Sequence, residues 1–279
     1  SSAISCYSTY DDHTIVITKE GEILMVGNNK GKQINHQLPS GIIKTYTKFE
    51  ITKENRTFYP LSAVCGSNYT LYLVCESKES VSKKFLYLTS KNYRKSLFLN
   101  IGDSNPVSLF GGHSHSASID DKGMIIFIND TKVEINSLPD NDKATCISFC
   151  SNHIFVVGSN SRVYVSEINK SVTKLNFKIV KELEGKNIVD VNGTFNHCFA
   201  VSKEGKVFGF GSNESGKLGL ELEDTTIDVN EFTEVLSLNK YKIKNAYAGF
   251  DHSLFRTENG KILACGSNYS GQLLNKEQS

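Results

Sequence analysis

The sequence predicts an all-β protein, a propeller of about six four-stranded blades, from three observations. The first is a spacing. A histidine is followed eight residues later by a glycine at His13/Gly21, His115/Gly123, His197/Gly205 and His252/Gly260. In three of these copies a second glycine follows after six more residues, at Gly27, Gly211 and Gly266. The second is a period. Two worn copies fill the gaps, one with Tyr69 in the histidine position and one with His153, so the markers stand 56, 46, 38, 44 and 55 residues apart. Their mean lies near 48, the length of a propeller blade of four short strands. The third is texture. Short apolar runs end in turns, only 4 prolines occur and no long amphipathic period points to helix.

Within one copy the elements follow in order. Ile188–Val191 reads as a first strand and His197–Val201 as a second. Lys203-Glu-Gly205 reads as a tight turn and Lys206–Phe210 as a third strand closed by Gly211. Glycine suits that turn because it adopts positive φ without strain. The fourth strand is expected in the linkers, at Phe232–Leu238 or 44–51. The repeats divide one domain, 1–279, into 1–57, 58–105, 106–142, 143–185, 186–240 and 241–279. The last shows no fourth strand of its own. A ring must close, since an unpaired edge invites aggregation. Ala3–Ser8 is therefore expected to complete the last blade, with the termini adjacent, or the missing strand lies outside this sequence and leaves room for a seventh blade.

Composition narrows the function classes. Lys and Arg total 31 against 30 acidic residues, a net charge of +1, and only 4 of the basic residues are arginine. Neither a global field nor the forked donor that reads phosphate and guanine is abundant, which argues against nucleic acid. The 7 cysteines are scattered without a CxxC pair and mostly flanked by apolar residues, as small buried thiols in a reducing compartment would be. No apolar run approaches the ~18 residues that cross a bilayer. The chain begins at Ser1, so targeting or lipidation signals are expected outside it.

Several motifs suggest chemistry and do not hold. Gly211-Ser-Asn-Glu-Ser-Gly216-Lys217 fits a phosphate loop, yet Leu218 stands where Mg²⁺ needs a hydroxyl and no helix is expected to follow. Five of the 7 histidines share one repeat position, a blade apart, so they cannot converge on an ion. They are read as structural, each ring bonding backbone. His113-Ser-His115 reads as two faces of one strand. No catalytic residue, metal site or cofactor is assigned.

The copies resemble the repeat of the regulator of chromosome condensation family. That repeat reads roughly strand, Gly-x-x-His-[Thr/Ser], strand, Gly-x-[Val/Ile]-[Tyr/Phe], Trp-Gly and Gly-x-Asn-x-x-Gly-[Gln/Lys]-Leu. Gly211-Ser-Asn213-Glu-Ser-Gly216-Lys-Leu218 and Gly266-Ser-Asn268-Tyr-Ser-Gly271-Gln-Leu273 match its end, and Gly27-Asn-Asn29-Lys-Gly31 is a degraded version. The resemblance is specific over 186–274, good over 1–34 and worn over 58–165. The family's tryptophan is missing throughout, and its founding member has seven blades. The Trp-Asp propeller type is excluded without tryptophan. The kelch type needs repeated Gly-Gly, found once at Gly111-Gly112.

The resemblance implies a partner, a small GTPase of the Ras superfamily such as Ran, with the propeller acting as a guanine nucleotide exchange factor or modulator. Such proteins need no catalytic triad, since they stabilise the nucleotide-free state. A non-catalytic interaction scaffold remains an alternative, and a chromatin or DNA binder a third that the charge opposes. The lysine- and asparagine-rich usage suits an AT-rich genome; in an intracellular bacterium such a propeller would be an effector acting on host proteins. A monomer in the cytoplasm or nucleocytoplasm is expected. Contact residues are sought where the repeat breaks, because irregular loops carry binding while blades are scaffold. One such stretch, read as a loop, holds Glu221, Glu223, Asp224, Asp228 and Glu231 without a basic residue. Another is the long second-blade hairpin with Lys83 and Lys84. Each is equally readable as solvated surface.

Overall fold

The computed structural model describes all residues except 1–3, 11, 12, 31, 35, 37, 39, 80, 93–95, 170, 172, 173, 222–227 and 274–279. The chain forms six antiparallel sheets in sequence order. The first holds β1 (Ile4–Tyr10), β2 (His13–Thr18), β3 (Ile23–Asn28) and β4 (Ile42–Phe49). The second holds β5 (Ile51–Lys53), β6 (Arg56–Cys65), β7 (Tyr69–Cys75), β8 (Lys84–Ser90) and β9 (Leu97–Phe98). The third holds β10 (Pro106–Gly111), β11 (His115–Asp120), β12 (Ile125–Asn129) and β13 (Lys132–Asn136). The fourth holds β14 (Ala144–Cys150), β15 (His153–Gly158), β16 (Val163–Glu167) and β17 (Lys178–Ile179). The fifth holds β18 (Ile188–Gly193), β19 (His197–Ser202), β20 (Val207–Ser212) and β21 (Asp228–Glu234). The sixth holds β22 (Ile243–Ala248), β23 (His252–Thr257) and β24 (Ile262–Gly266). Among the described residues helix is confined to four short 3₁₀ turns.

The chain divides into two compact units. One comprises 1–137 with 170–174 and carries sheets one to three. The other comprises 138–169 with 175–279 and carries sheets four to six. In each unit the core lies between successive sheets. In β7, Tyr72 and Val74 pack toward Ile15, Ile17 and Met25 of the first sheet, while Leu71 and Leu73 pack toward Ile126 and Ile128 of the third. In β19, Cys198 and Ala200 face Phe155 and Val157, and Phe199 and Val201 face Ile243 and Phe255. Side chains alternate faces along a strand, so a sheet packed on both faces needs apolar residues at every position. This is why β7, β15 and β19 read as nearly unbroken apolar runs. The outer strand β4, by contrast, is largely exposed.

The repeat spacings are hairpin geometry. All six markers open a strand, the second of the sheet for His13, His115, His153, His197 and His252 and the third, β7, for Tyr69, whose sheet carries the extra short strand β5. The glycine eight residues on has φ between +81° and +86° at Gly21, Gly123, Gly205 and Gly260. Each donates its N–H to the carbonyl three residues earlier, closing the turn. In the fourth sheet Ser161 takes that place at φ +63° with the same bond to Gly158. The glycine at fourteen pairs directly across the hairpin from the histidine, as His13 with Gly27, His197 with Gly211 and His252 with Gly266.

Two expectations are corrected and a third is sharpened. Residues 4–8 belong to β1, which pairs with β2 as first strand of the first sheet, and do not complete the last one. The fourth strand of the fifth sheet starts at Asp228 rather than Phe232, and Leu236–Leu238 is a 3₁₀ turn. Where the ring partners of the marker histidines are described, finally, they include hydroxyls. His13 Nε2 meets Thr70 Oγ1 at 3.2 Å and His197 Nε2 meets Ser253 Oγ at 2.9 Å. Thr70 and Ser253 each follow the marker of the next sheet, so the hydroxyl after one histidine receives the ring of the preceding sheet. Tyr69 plays the part differently, donating its hydroxyl to the His115 carbonyl at 2.7 Å.

Candidate protein-docking edge

In the second unit the staple between sheets fails once. The position after the fifth marker is Cys198, with no hydroxyl to offer, and the His153 ring packs instead against Phe155 and Phe210. Its Nδ1 is buried with no hydrogen-bond partner among the described residues. There a cavity of about 560 Å³ opens, lined by Ser151, His153, Asn196, Phe210, Glu214 and Asp228 among others. Neither the Glu214 nor the Asp228 carboxylate is paired with a cation among the described residues.

Beside it, the turns between first and second strands of sheets five and six expose Phe195 and Phe250, 43% and 65% accessible. Their rings stack, with centroids 5.7 Å apart and planes 18° from parallel. Isolated exposed phenylalanines are common, but two stacked ones form a patch. Lys217 explains their placement. Its side chain is fully buried, and its Nζ donates to Asp251 Oδ1 at 3.1 Å and Asn196 Oδ1 at 3.4 Å. Asn196 follows Phe195 and Asp251 follows Phe250, so one ammonium ties both turns. Thr194 Oγ1 adds a bond to the Gly249 carbonyl at 2.7 Å.

The phosphate-loop resemblance is thereby accounted for. Asn213 Oδ1 accepts the Leu218 N–H at 3.0 Å, as Asn29 does from Ile34 at 3.1 Å and Asn268 from Leu273 at 2.9 Å. The motif builds a turn that drives Leu218 into the core and Lys217 under the edge.

Of the acidic candidates, Glu221, Asp228 and Glu231 are exposed. Asp228 and Glu231 lie on β21, not on a loop, because Val229 and Thr233 pair with Gly211 and Gly209 of β20 and Phe232 packs into the core between them. The pairing with β20 is irregular between them, and of the two only Asp228 lines the cavity. Glu223 and Asp224 fall outside the described residues. In the first unit Lys83 is exposed with its Nζ 5.7 Å from the Phe85 ring centre, and Lys84 opens β8 opposite Cys75. Lys78 of that hairpin donates to the Glu20 carbonyl. The cavity and the aromatic pair were not found from the repeat pattern; the signals present were Cys198 where most repeats carry Ser or Thr, and a phenylalanine two residues before the marker in both of the last two copies.

Burial pushes the Cys65, Cys146 and Cys265 thiols up to about 12, so they stay protonated at neutral pH. All seven cysteines are free thiols. Burial, with Lys217 nearby, lowers His197 to about 4. Since Ser253 Oγ donates to the Lys217 carbonyl at 2.6 Å, His197 Nε2 is the donor to that oxygen and the ring is a neutral tautomer. Among the described residues no group of three His, Cys, Asp or Glu could hold a metal, and no helix is long and apolar enough to cross a membrane.

Stacked four-stranded antiparallel sheets joined in sequence order define a β-propeller. The regulator of chromosome condensation (RCC1) repeat matches residues 188–217 and 243–272, and a second description of it matches 204–256. The chain is an RCC1-like β-propeller. The Secretion-regulating guanine nucleotide exchange factor of Bos taurus is 40% identical over 83 residues, 30% of this chain and 17% of that protein. The Probable E3 ubiquitin-protein ligase HERC6 of Homo sapiens is 30% identical over 122 residues, 44% of this chain and 12% of that protein. The chain thus spans less than a fifth of the length of these curated relatives. Among solved structures, Prp20p from Saccharomyces cerevisiae superimposes with a TM-score of 0.70 at 16% identity, over 93% of this chain and 71% of that one. Its structure is described together with its binding properties to Gsp1p and histones.

Proposed function

We propose that the chain binds a Ras-superfamily small GTPase, Ran-like in kind, and acts on it as a guanine nucleotide exchange factor. One observation carries the reading. The residues matched by the RCC1 repeat also build the Phe195–Phe250 pair and most of the cavity wall, and a guanine nucleotide exchange factor shares 83 residues with this chain at 40% identity. An exchange factor works by differential affinity for the nucleotide-free state and needs no nucleophile or general base. A cytoplasmic or nucleocytoplasmic monomer whose blades act as one domain suits free thiols and a near-neutral surface.

A second reading, a scaffold that binds without exchange, is favoured by the match to HERC6, a protein named for a different activity. Fold alone does not decide between them. The two separate on a release assay with small GTPases loaded with a fluorescent GDP analogue. Exchange activity is expected to speed release from one subfamily at least tenfold at micromolar chain. Binding to a GTPase with unchanged release would favour the scaffold, and no binding across the Ran, Rab, Rho, Arf and Ras groups would reject the exchange-factor reading.

A further inference from the structure

We infer that the edge of sheets five and six docks a protein surface offering a basic side chain beside an apolar one, the basic group entering the cavity and the apolar group lying on Phe195 and Phe250. The inference rests on the proposed function only in taking the ligand to be a protein.

Four observations converge. The cavity is large enough for a side chain, at about 560 Å³, and occurs where the histidine–hydroxyl staple is missing. Its lining carries the Glu214 and Asp228 carboxylates, the Asn196 carboxamide and the Phe210 ring, with no lysine or arginine among them. Carboxylates and a ring face suit a guanidinium or ammonium, which pairs with both. The cavity is continuous with the aromatic pair, because the Ser151 N–H donates to the Phe195 carbonyl at 2.8 Å. The pair itself is held before any ligand arrives. Lys217 and Thr194 fix both turns, and a preorganised surface loses less freedom on binding. Lys217 is therefore a positioning residue: buried, it touches no ligand, yet it sets the separation of the two rings. Charge complementarity selects the occupant, since a surface with an acid at this position would face two uncompensated carboxylates.

The test titrates the full chain with the peptide acetyl-Gly-Arg-Leu-Gly-amide, followed by backbone amide NMR at low salt, beside the same peptide with citrulline for arginine. Saturable shifts are expected at His153, Asn196, Phe210 and Phe250, with the citrulline peptide at least fivefold weaker. Combining Glu214→Gln with Asp228→Asn should weaken the arginine peptide at least fivefold. Lys217→Met should weaken it while leaving the spectrum of the first unit unchanged. Equal binding of the two peptides, shifts centred elsewhere, or no saturation would each overturn the inference. A GTPase that bound the Glu214→Gln/Asp228→Asn chain as tightly as wild type would overturn it too, while leaving the proposed function standing.

Discussion

Gly211→Ala is expected to lower stability by about 3–5 kcal/mol, read as a fall in the urea midpoint at unchanged slope. Two costs add. Gly211 has φ +98°, where a side chain is strained by ~1–3 kcal/mol. Its Cβ would also lie 2.3 Å from the Asn196 carbonyl oxygen and 3.0 Å from His197 Cα. Both are backbone atoms of the paired strand and cannot swing aside, so overpacking adds ~1–3 kcal/mol. Gly216 provides the control. It too has positive φ, at +68°, but a Cβ there would meet nothing within 4 Å, so alanine should cost only ~1–2 kcal/mol. Equal losses at the two sites would show that the cross-hairpin register does not impose the second glycine.

His197→Ala is expected to cost about 3 kcal/mol at pH 7. The ring is wholly buried, and its removal leaves a cavity and strips the Nε2 donor from Ser253. The same residue sets an acid response. Its folded pKa, about 4, lies below the ordinary value of 6.5 because burial disfavours the imidazolium. Between those values the unfolded chain takes up a proton that the folded chain refuses, so stability falls as pH drops through that window. The contribution is fully present above about pH 6.5 and is lost toward pH 4, a difference of ~3 kcal/mol at 1.36 kcal/mol per unit. Urea melts from pH 7 to 4.5 should show a steeper decline for wild type than for His197→Asn. Parallel declines would mean that the ring is charged or hydrated in the folded state.

What could be read from the sequence was whatever a hairpin makes periodic. The eight-residue interval is a strand plus its turn and the fourteen-residue interval is a cross-strand pair, so both survive where flanking residues diverge, as at Ser161. The outer strands were poorly legible because one sheet face there meets solvent. Only a few positions such as Val229 and Phe232 are constrained there, at irregular spacing because the pairing with β20 is bulged, and an acidic strand then reads as a loop. The hydroxyl partner of each histidine is not legible because it lies one sheet away, some 56 residues on for His197 and Ser253. The cavity is hidden for the same reason: its walls come from residues near 151, 196, 211 and 229, joined only by the stacking of two sheets. Cys198 was the visible clue, a residue without a hydroxyl where four of the other five repeats carry Ser or Thr, Ile154 being the exception.

That binding resides where the repeat is broken is tested most directly by association kinetics. Glu221, Glu223, Asp224, Asp228 and Glu231 would be changed together to Ser or Asn and the variant mixed with the GTPase that the wild-type chain binds. Exposed pairs contribute only ~0–1 kcal/mol each, so the charges act chiefly on the rate of encounter. Folding should be unchanged. At low salt the variant should associate several-fold more slowly than wild type, and the gap should close as ionic strength passes ~0.1 M, where the screening length falls to ~10 Å. An unchanged on-rate with unchanged salt dependence would contradict this and shift attention to Lys83 and Lys84 on the second-sheet hairpin.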